Sequence, residues 1–111
     1  MTHEVFLSAD AQDDVLGIWK YVANQDSLES ADRLFEALQE KCLSLEHFPD
    51  RGHCPTELER IHVREYLEIH FKPYKIIYRI YEQKVFIYCV LDGRRNLQDL
   101  LIERLFRTRI E

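Results

Sequence analysis

The stretch YKIIYRIYEQKVFIYCVLDGRR, residues 74–95, decides the fold. Its β-branched and aromatic residues form two runs separated by the polar pair Glu82-Gln83, a pattern typical of an antiparallel hairpin. A similar run precedes Lys72-Pro73. We therefore predict an antiparallel meander of three strands, Arg64–Phe71, Tyr74–Tyr81 and Lys84–Leu91. The middle run, IIYRIY, is more apolar than simple alternation allows, which predicts that both faces of the sheet are at least partly covered.

The residues before the meander predict a strand and two helices. THEVFLS, residues 2–8, has the composition of a strand. Ser8 is placed to cap a first helix, and a second helix begins near Asp26 or Ser27. Apolar residues recur at helical spacing in both: Ala11, Val15, Ile18, Trp19 and Val22, then Ala31, Leu34, Phe35, Leu38, Cys42 and Leu45. Two such stripes predict an antiparallel helix hairpin.

Two further segments complete the predicted α+β fold. Residues 50–60, DRGHCPTELER, form the longest irregular stretch, and we expect a surface loop there. Asn96 is placed to cap a last helix whose apolar stripe contains Leu97, Leu100, Leu101 and Leu105. The sequence thus predicts one domain over residues 1–111: a small antiparallel sheet, a helix hairpin packed on it and a short C-terminal helix.

Composition excludes several classes of protein. The chain has 111 residues, and its longest apolar run, VFIYCVL, is far shorter than the roughly 18 residues of a membrane helix. The N-terminus lacks a basic region followed by an apolar one. Three scattered cysteines, Cys42, Cys54 and Cys89, suit a reducing compartment rather than a disulfide framework. We therefore expect a cytoplasmic protein without membrane partners.

Positive charge is concentrated in the second half of the chain. The net charge is −5, yet residues 51–111 carry twelve basic and nine acidic side chains, against three and eleven in residues 1–50. Arg94 and Arg95 follow a glycine at the end of the last predicted strand. Such an asymmetry predicts that the second half meets an anionic partner.

Taken in order, these segments resemble toxins of the RelE/ParE superfamily of bacterial toxin and antitoxin pairs. The resemblance covers residues 3–96 and rests on the opening strand and four later segments: SADAQDDVLGIWKYVA, LSLEHFPDRG, YKIIYRIYEQKVFIYCVL and DGRR. It implies one of two activities. RelE-like members cut messenger RNA on the ribosome, whereas ParE-like members inhibit DNA gyrase.

The residues at the nuclease positions favour the ParE-like activity. The RelE nuclease motif has lysines on the strand before the hairpin, an arginine after the hairpin's first tyrosine, an arginine ending the last strand, and a later tyrosine. This sequence has Tyr66 and Glu68, Lys75, Arg95 and Leu101 at those positions. Lys75 lacks the planar fork that grips phosphate, Glu68 repels phosphate, and Leu101 exchanges no proton. The resemblance therefore implies a gyrase inhibitor without catalytic activity.

Two alternatives stay open. One is a metal-independent ribonuclease acting on messenger RNA at the ribosome, with Arg95, Lys75 and His70 as its catalytic residues. The other is a non-toxic remnant that only binds its antitoxin.

The expected partner in each case is a cognate antitoxin, bound in a hetero-oligomer. Its acidic C-terminal segment would meet basic side chains of the toxin. The candidates for partner binding are Lys75, Arg79, Arg94, Arg95, Arg104 and Arg107. No cofactor is expected, and no metal site, because the spacing of Cys42, His47, His53 and Cys54 fits no paired ligand pattern.

Overall fold

The computed structural model describes residues 2–106, which form four strands and four α-helices. In chain order the elements are β1 (Glu4–Leu7), α1 (Ala9–Gln25), α2 (Leu28–Leu43), α3 (Thr56–Glu59), β2 (Leu67–Phe71), β3 (Tyr74–Tyr81), β4 (Lys84–Asp92) and α4 (Gln98–Phe106). Two 3₁₀ turns, Ser44–Glu46 and Pro49–Arg51, lie between α2 and α3. This architecture confirms the predicted α+β fold.

The first two helices begin at the residues that the sequence predicts. The Ser8 hydroxyl accepts a hydrogen bond from the Ala11 N–H at 3.0 Å, and the Ser27 hydroxyl accepts one from the Ser30 N–H at 3.0 Å. Each cap satisfies an N–H group that a helix leaves without an internal partner. Within residues 2–106 no helix combines the length and the apolar character needed to cross a membrane.

The sheet has the strand order β1-β4-β3-β2. Strands β2, β3 and β4 form the predicted antiparallel meander. The edge strand β1 pairs with β4 in parallel, with Glu4 opposite Lys84 and Leu7 opposite Ile87. A parallel pair needs a long crossover connection, and the α1–α2 hairpin lies within the chain that joins these two strands.

Helices cover the sheet on both faces. One apolar cluster joins α1 and α2 to the sheet through residues such as Leu38, Ile76 and Tyr78, all fully buried. A second cluster joins α3 and α4 to the other face through Leu58, Ile77 and Leu101, which are also fully buried. Because Ile76 and Ile77 are consecutive and face opposite clusters, the central strand is buried on both sides, as the run IIYRIY predicts.

The segment between α2 and β2 differs most from the prediction. Strand β2 begins at Leu67 rather than Arg64. Residues 50–60 are not simply a surface loop, because α3 buries Leu58 in the second apolar cluster. His53 also forms an isolated antiparallel bridge with Glu68, with hydrogen bonds in both directions at 3.2 and 2.7 Å. These pairings hold the segment against the edge of the sheet.

Candidate functional site

The turn after β4 directs two arginines outward. The Gly93 N–H donates to the Pro73 carbonyl at 2.8 Å, and the Arg95 N–H donates to the Asp92 carbonyl at 3.2 Å. A Cβ at Gly93 would lie 3.1 Å from the Pro73 oxygen, so the close approach of the two chain segments favours glycine. Arg94 and Arg95 are both exposed.

Arg94 is paired with the aspartate that ends β4. Its Nε and Nη2 atoms donate to the two Asp92 carboxylate oxygens at 3.0 and 2.7 Å. The hydrogen bonds from the Arg94 side chain and backbone lower the Asp92 pKa from 3.8 to about 2. The pair lies at the surface, with 73% of the Arg94 side chain exposed, so a charged partner can compete for it.

Arg95 is free to meet a partner. Within residues 2–106 its side chain makes no ion pair or side-chain hydrogen bond, although its charge helps to lower the Asp92 pKa. Arg94 and Arg95 line one end of a groove of about 480 Å³ between α1 and the end of β4. Tyr21, 66% exposed, and Tyr74 lie along the same groove. The groove therefore combines aromatic surface and two exposed guanidinium groups with three aspartates, Asp13, Asp14 and Asp92, so its positive charge is confined to the arginine turn.

Lys75 lies beside two carboxylates rather than in solvent. Its Nζ atom is 3.4 Å from Glu68 Oε1 and 3.7 Å from Glu57 Oε2. Glu68 is the buried member of this group, with 2% of its side chain exposed, whereas 22% of the Lys75 side chain is exposed. A phosphate or carboxylate of a partner would have to displace these internal anions before it could use the Lys75 charge.

Two histidines complete this group, which we call the His–Glu–Lys cluster: His53, Glu68, His70 and Lys75. His70 Nε2 lies 2.8 Å from Glu68 Oε1, and His53 Nε2 lies 3.8 Å from the same oxygen. Residues 68 and 70 share a face of β2 because side chains alternate along a strand. The sequence analysis considered these four residues separately and did not group them; the signal it passed over was the spacing Glu-x-His on a strand.

The cluster and the arginine turn border a common depression. A cleft of about 320 Å³ is lined by His70, Lys75, Gly93 and Arg94, among others. Gly93 packs on the stem of Lys75, since a Cβ there would lie 3.2 Å from Lys75 Cγ. The structure therefore brings together three predicted residues, Lys75, His70 and Arg94, with Arg95 on the neighbouring groove.

Arg104, one of the predicted partner-binding residues, is largely buried in an internal ion pair. Its Nη1 and Nη2 atoms donate to the two Asp14 oxygens, each at 2.9 Å, and Nη2 also donates to the Tyr88 carbonyl at 3.2 Å. Only 13% of its side chain and 14% of the Asp14 side chain are exposed. The Asp14 carboxylate also accepts the Val90 N–H at 2.9 Å. This bidentate pair ties α4 to α1 and β4, so we remove Arg104 from the partner-binding candidates.

Two further predicted positions, Arg79 and Leu101, contact other residues of the chain. The Arg79 guanidinium lies over the Tyr66 ring, 5.6 Å from its centroid. Leu101, at the position of the nuclease tyrosine, is fully buried between α4 and the sheet. Arg107 lies outside the described residues.

No cysteine within residues 2–106 contributes a ligand atom to the group of His53, Glu68 and His70. Cys42 is buried under the helix hairpin, and burial raises the pKa of its thiol to about 11. Cys54 Sγ donates to the Val63 carbonyl at 3.4 Å, and burial raises its pKa as well. Neither thiol has the electropositive surroundings of a reactive cysteine.

The fold is shared with chains of two solved toxin-antitoxin structures. A structure described as the chromosomal ParDE toxin-antitoxin system from P. aeruginosa aligns with a TM-score of 0.69 and 13% identity, covering 82% of this chain and 96% of that one. The RelBE2 toxin-antitoxin complex from Mycobacterium tuberculosis aligns with a TM-score of 0.62 and 19% identity, covering 83% and 92%. At these identities the likeness concerns the fold.

The sequence itself identifies the family. Residues 5–97 match the family described as ParE toxin of type II toxin-antitoxin system, parDE. The chain therefore belongs to the ParE toxin family, which confirms the predicted resemblance and its ParE-like character. No curated protein sequence matches the chain significantly.

Proposed function

We propose that this chain is a toxin that inhibits DNA gyrase and is neutralised by a cognate antitoxin. The observation that carries the proposal is the family match over residues 5–97, because ParE-like members of the superfamily act on gyrase. Inhibition of this kind needs a binding surface rather than a catalytic centre. The arginine turn and the groove beside it offer such a surface.

The nuclease positions support a non-catalytic role. Cleavage of RNA without a metal requires a base for the ribose hydroxyl and cations for the charge that grows on the phosphate. Here Glu68 is buried, Lys75 is held by two carboxylates, and Leu101 is in the core. Arg95 alone among these positions is both cationic and exposed.

The antitoxin is proposed to lie across the groove with an acidic segment at Arg94 and Arg95. Arginine suits this role because its planar fork binds carboxylates through two parallel hydrogen bonds. The exposed Tyr21 and the half-buried Tyr74 would supply apolar contact along the same path. Lys75 and Arg79 stay secondary candidates, since each already has an internal partner.

Antitoxin binding is tested by reversing the charge of the turn. The double variant Arg94→Glu with Arg95→Glu should weaken antitoxin binding by about tenfold or more, because each side chain would repel an acidic segment. The matched control is Arg33→Glu with Lys84→Glu, which makes the same change in net charge at exposed sites on α2 and at the opposite end of β4. Equal affinity of the two double variants in isothermal titration would refute this placement.

A ribonuclease stays the second candidate because of one contact. The 2.8 Å approach of His70 Nε2 to Glu68 Oε1 is the geometry by which a carboxylate orients a histidine for proton transfer, and Lys75 lies beside it. In that alternative His70 would be the acid–base group, with Arg95 and Lys75 facing the phosphate. A non-toxic remnant is the third candidate.

Pulse labelling distinguishes the gyrase inhibitor, the ribonuclease and the non-toxic remnant. Thymidine and amino-acid incorporation are followed for the first minutes after induction of the toxin alone in bacteria. Gyrase inhibition predicts an early fall in DNA synthesis with translation intact, followed by loss of supercoiling activity when purified toxin is added to gyrase. An early fall in translation would refute gyrase as the target and favour the ribonuclease, and normal incorporation of both labels would favour the remnant.

A further inference from the structure

The His–Glu–Lys cluster has the ligands of a transition-metal site. One donor atom from each of His53, Glu68 and His70 can be chosen so that all three lie within 4.8 Å of one another. Ligand atoms at zinc bond lengths of about 2.0–2.1 Å lie about 3.3 Å apart around a tetrahedral ion. The His–Glu distances here, 2.8 and 3.8 Å, lie on either side of that value.

A second observation points to a cation at the same place. Glu68 is 1% exposed, and its Oε2 atom is buried without a hydrogen-bond partner among the described residues. Oε2 belongs to the same carboxylate as Oε1, the oxygen near both histidines, and a cation bound to this carboxylate would recover free energy that the unpartnered oxygen costs. Glu57 and Glu68 together carry two negative charges, and Lys75 supplies one positive charge between them. The formal charges of Glu57, Glu68 and Lys75 therefore sum to one negative charge.

The architecture fixes the backbone of all three ligands and leaves a route for the ion. Strand β2 holds the backbone of Glu68 and His70, and the bridge to Glu68 holds that of His53. The His53 and His70 side chains are 66% and 42% exposed, so the cluster opens to solvent on the histidine side. The Lys75 ammonium can move toward Glu57, from which it is only 3.7 Å away, when an ion takes the Glu68 oxygen.

We propose that His53, Glu68 and His70 bind one divalent transition-metal ion, with Zn²⁺ as the favoured ion and water in the fourth position. Two imidazole nitrogens and one carboxylate oxygen suit zinc and its neighbours, whereas magnesium and calcium prefer oxygen ligands alone. The ion would join the segment before β2 to the sheet. The inference does not rest on the gyrase proposal, because it concerns binding by the toxin alone.

The test measures Zn²⁺ binding to the tag-free toxin by competition with a chromogenic chelator. The wild-type protein should bind one ion per chain, and Zn²⁺ should raise its Tm. His53→Ala and His70→Ala should each weaken binding by about tenfold or more, since even residues that only support ligands change metal affinity 10–100-fold. His47→Ala, at an exposed histidine outside the cluster, should leave the affinity unchanged.

Two outcomes would overturn the proposal. One is a wild-type protein that does not bind Zn²⁺ in a saturable way at one ion per chain. The other is binding that persists in both His53→Ala and His70→Ala. Because these histidines are exposed, their variants should fold, and circular dichroism checks this directly. Substituting Co²⁺ gives a further readout, since a four-coordinate site produces visible absorption bands that either histidine variant should lose.

Discussion

Arg104 and Asp14 form the ion pair whose loss should destabilise the toxin most clearly. The variant that tests this is Arg104→Met, which keeps a long apolar side chain in α4 but removes the guanidinium. Among residues 2–106, Asp14 would then keep the Val90 N–H as its one strong donor, in a site where 14% of its side chain is exposed. Leaving one charge of a buried pair without its partner costs roughly 3–5 kcal/mol.

The expected loss is somewhat smaller than that range. Partial exposure and the remaining Val90 hydrogen bond both lower the cost, which places the loss of unfolding free energy at about 2–4 kcal/mol. For a domain of this size that loss corresponds to a urea midpoint lower by about 1–2 M and a Tm lower by about 10–20 °C. Equilibrium unfolding in urea, followed by circular dichroism, measures it.

Matched variants separate the ion pair from general effects of substitution. Arg33→Met removes a helical arginine whose pair with Glu29 is exposed, 70% and 83% by side chain, and should cost at most about 0.5 kcal/mol. Asp13→Asn provides the same control for Asp14→Asn, because Asp13 is exposed on the same helix. A double-mutant cycle over Asp14→Asn and Arg104→Met should give a coupling of about 1–3 kcal/mol.

The result that would refute the reasoning is a loss for Arg104→Met as small as that for Arg33→Met. Arg104 would then be available in solution for an antitoxin or for gyrase. If wild-type Arg104 is held by Asp14, the folded Arg104→Met protein should bind the antitoxin with unchanged affinity, in contrast to the Arg94 and Arg95 double variant. Stability and binding therefore distinguish an internal arginine from one that contacts a partner.

Three further predictions concern the core and the arginine turn. Tyr78→Phe removes the buried hydroxyl that donates to the Pro49 carbonyl at 2.5 Å, so urea unfolding should show a loss of about 1–2 kcal/mol. Gly52→Ala should lower the Tm by at least as much as Tyr78→Phe does, because the added methyl group overlaps the Tyr78 hydroxyl. An unchanged Tm would contradict this packing. Because Arg94 lowers the folded-state pKa of Asp92 from 3.8 to about 2, the pair stabilises the fold above pH 4 and this contribution disappears as the pH falls to 2. In Arg94→Gln, carboxyl NMR should show the Asp92 pKa rising toward 3.8, and the stability difference from wild type should shrink over that pH range; a constant difference would argue against the pair.

The sequence predicted the helix starts and the hairpin strands because the signals for them are local. A serine followed by acidic residues caps a helix wherever the helix packs, and Ser8 and Ser27 do so here. The runs around Glu82-Gln83 likewise contain their own pairing information, and β3 and β4 begin where they were predicted. By contrast, the helical turn at Leu58 lies in a short polar segment without periodicity, so its burial could not be predicted.

The sequence by itself determined the four strands, the long helices and the family, and it placed two arginines at the end of β4. Only the tertiary structure decided which charges meet. Asp14 and Arg104 are 90 residues apart, and they pair because α1 and α4 both reach β4. His53 joins Glu68 and His70 because a backbone bridge brings the segment before β2 to the edge of the sheet. Local propensity extends over a few residues, whereas an ion pair or a metal site depends on the positions of whole strands and helices.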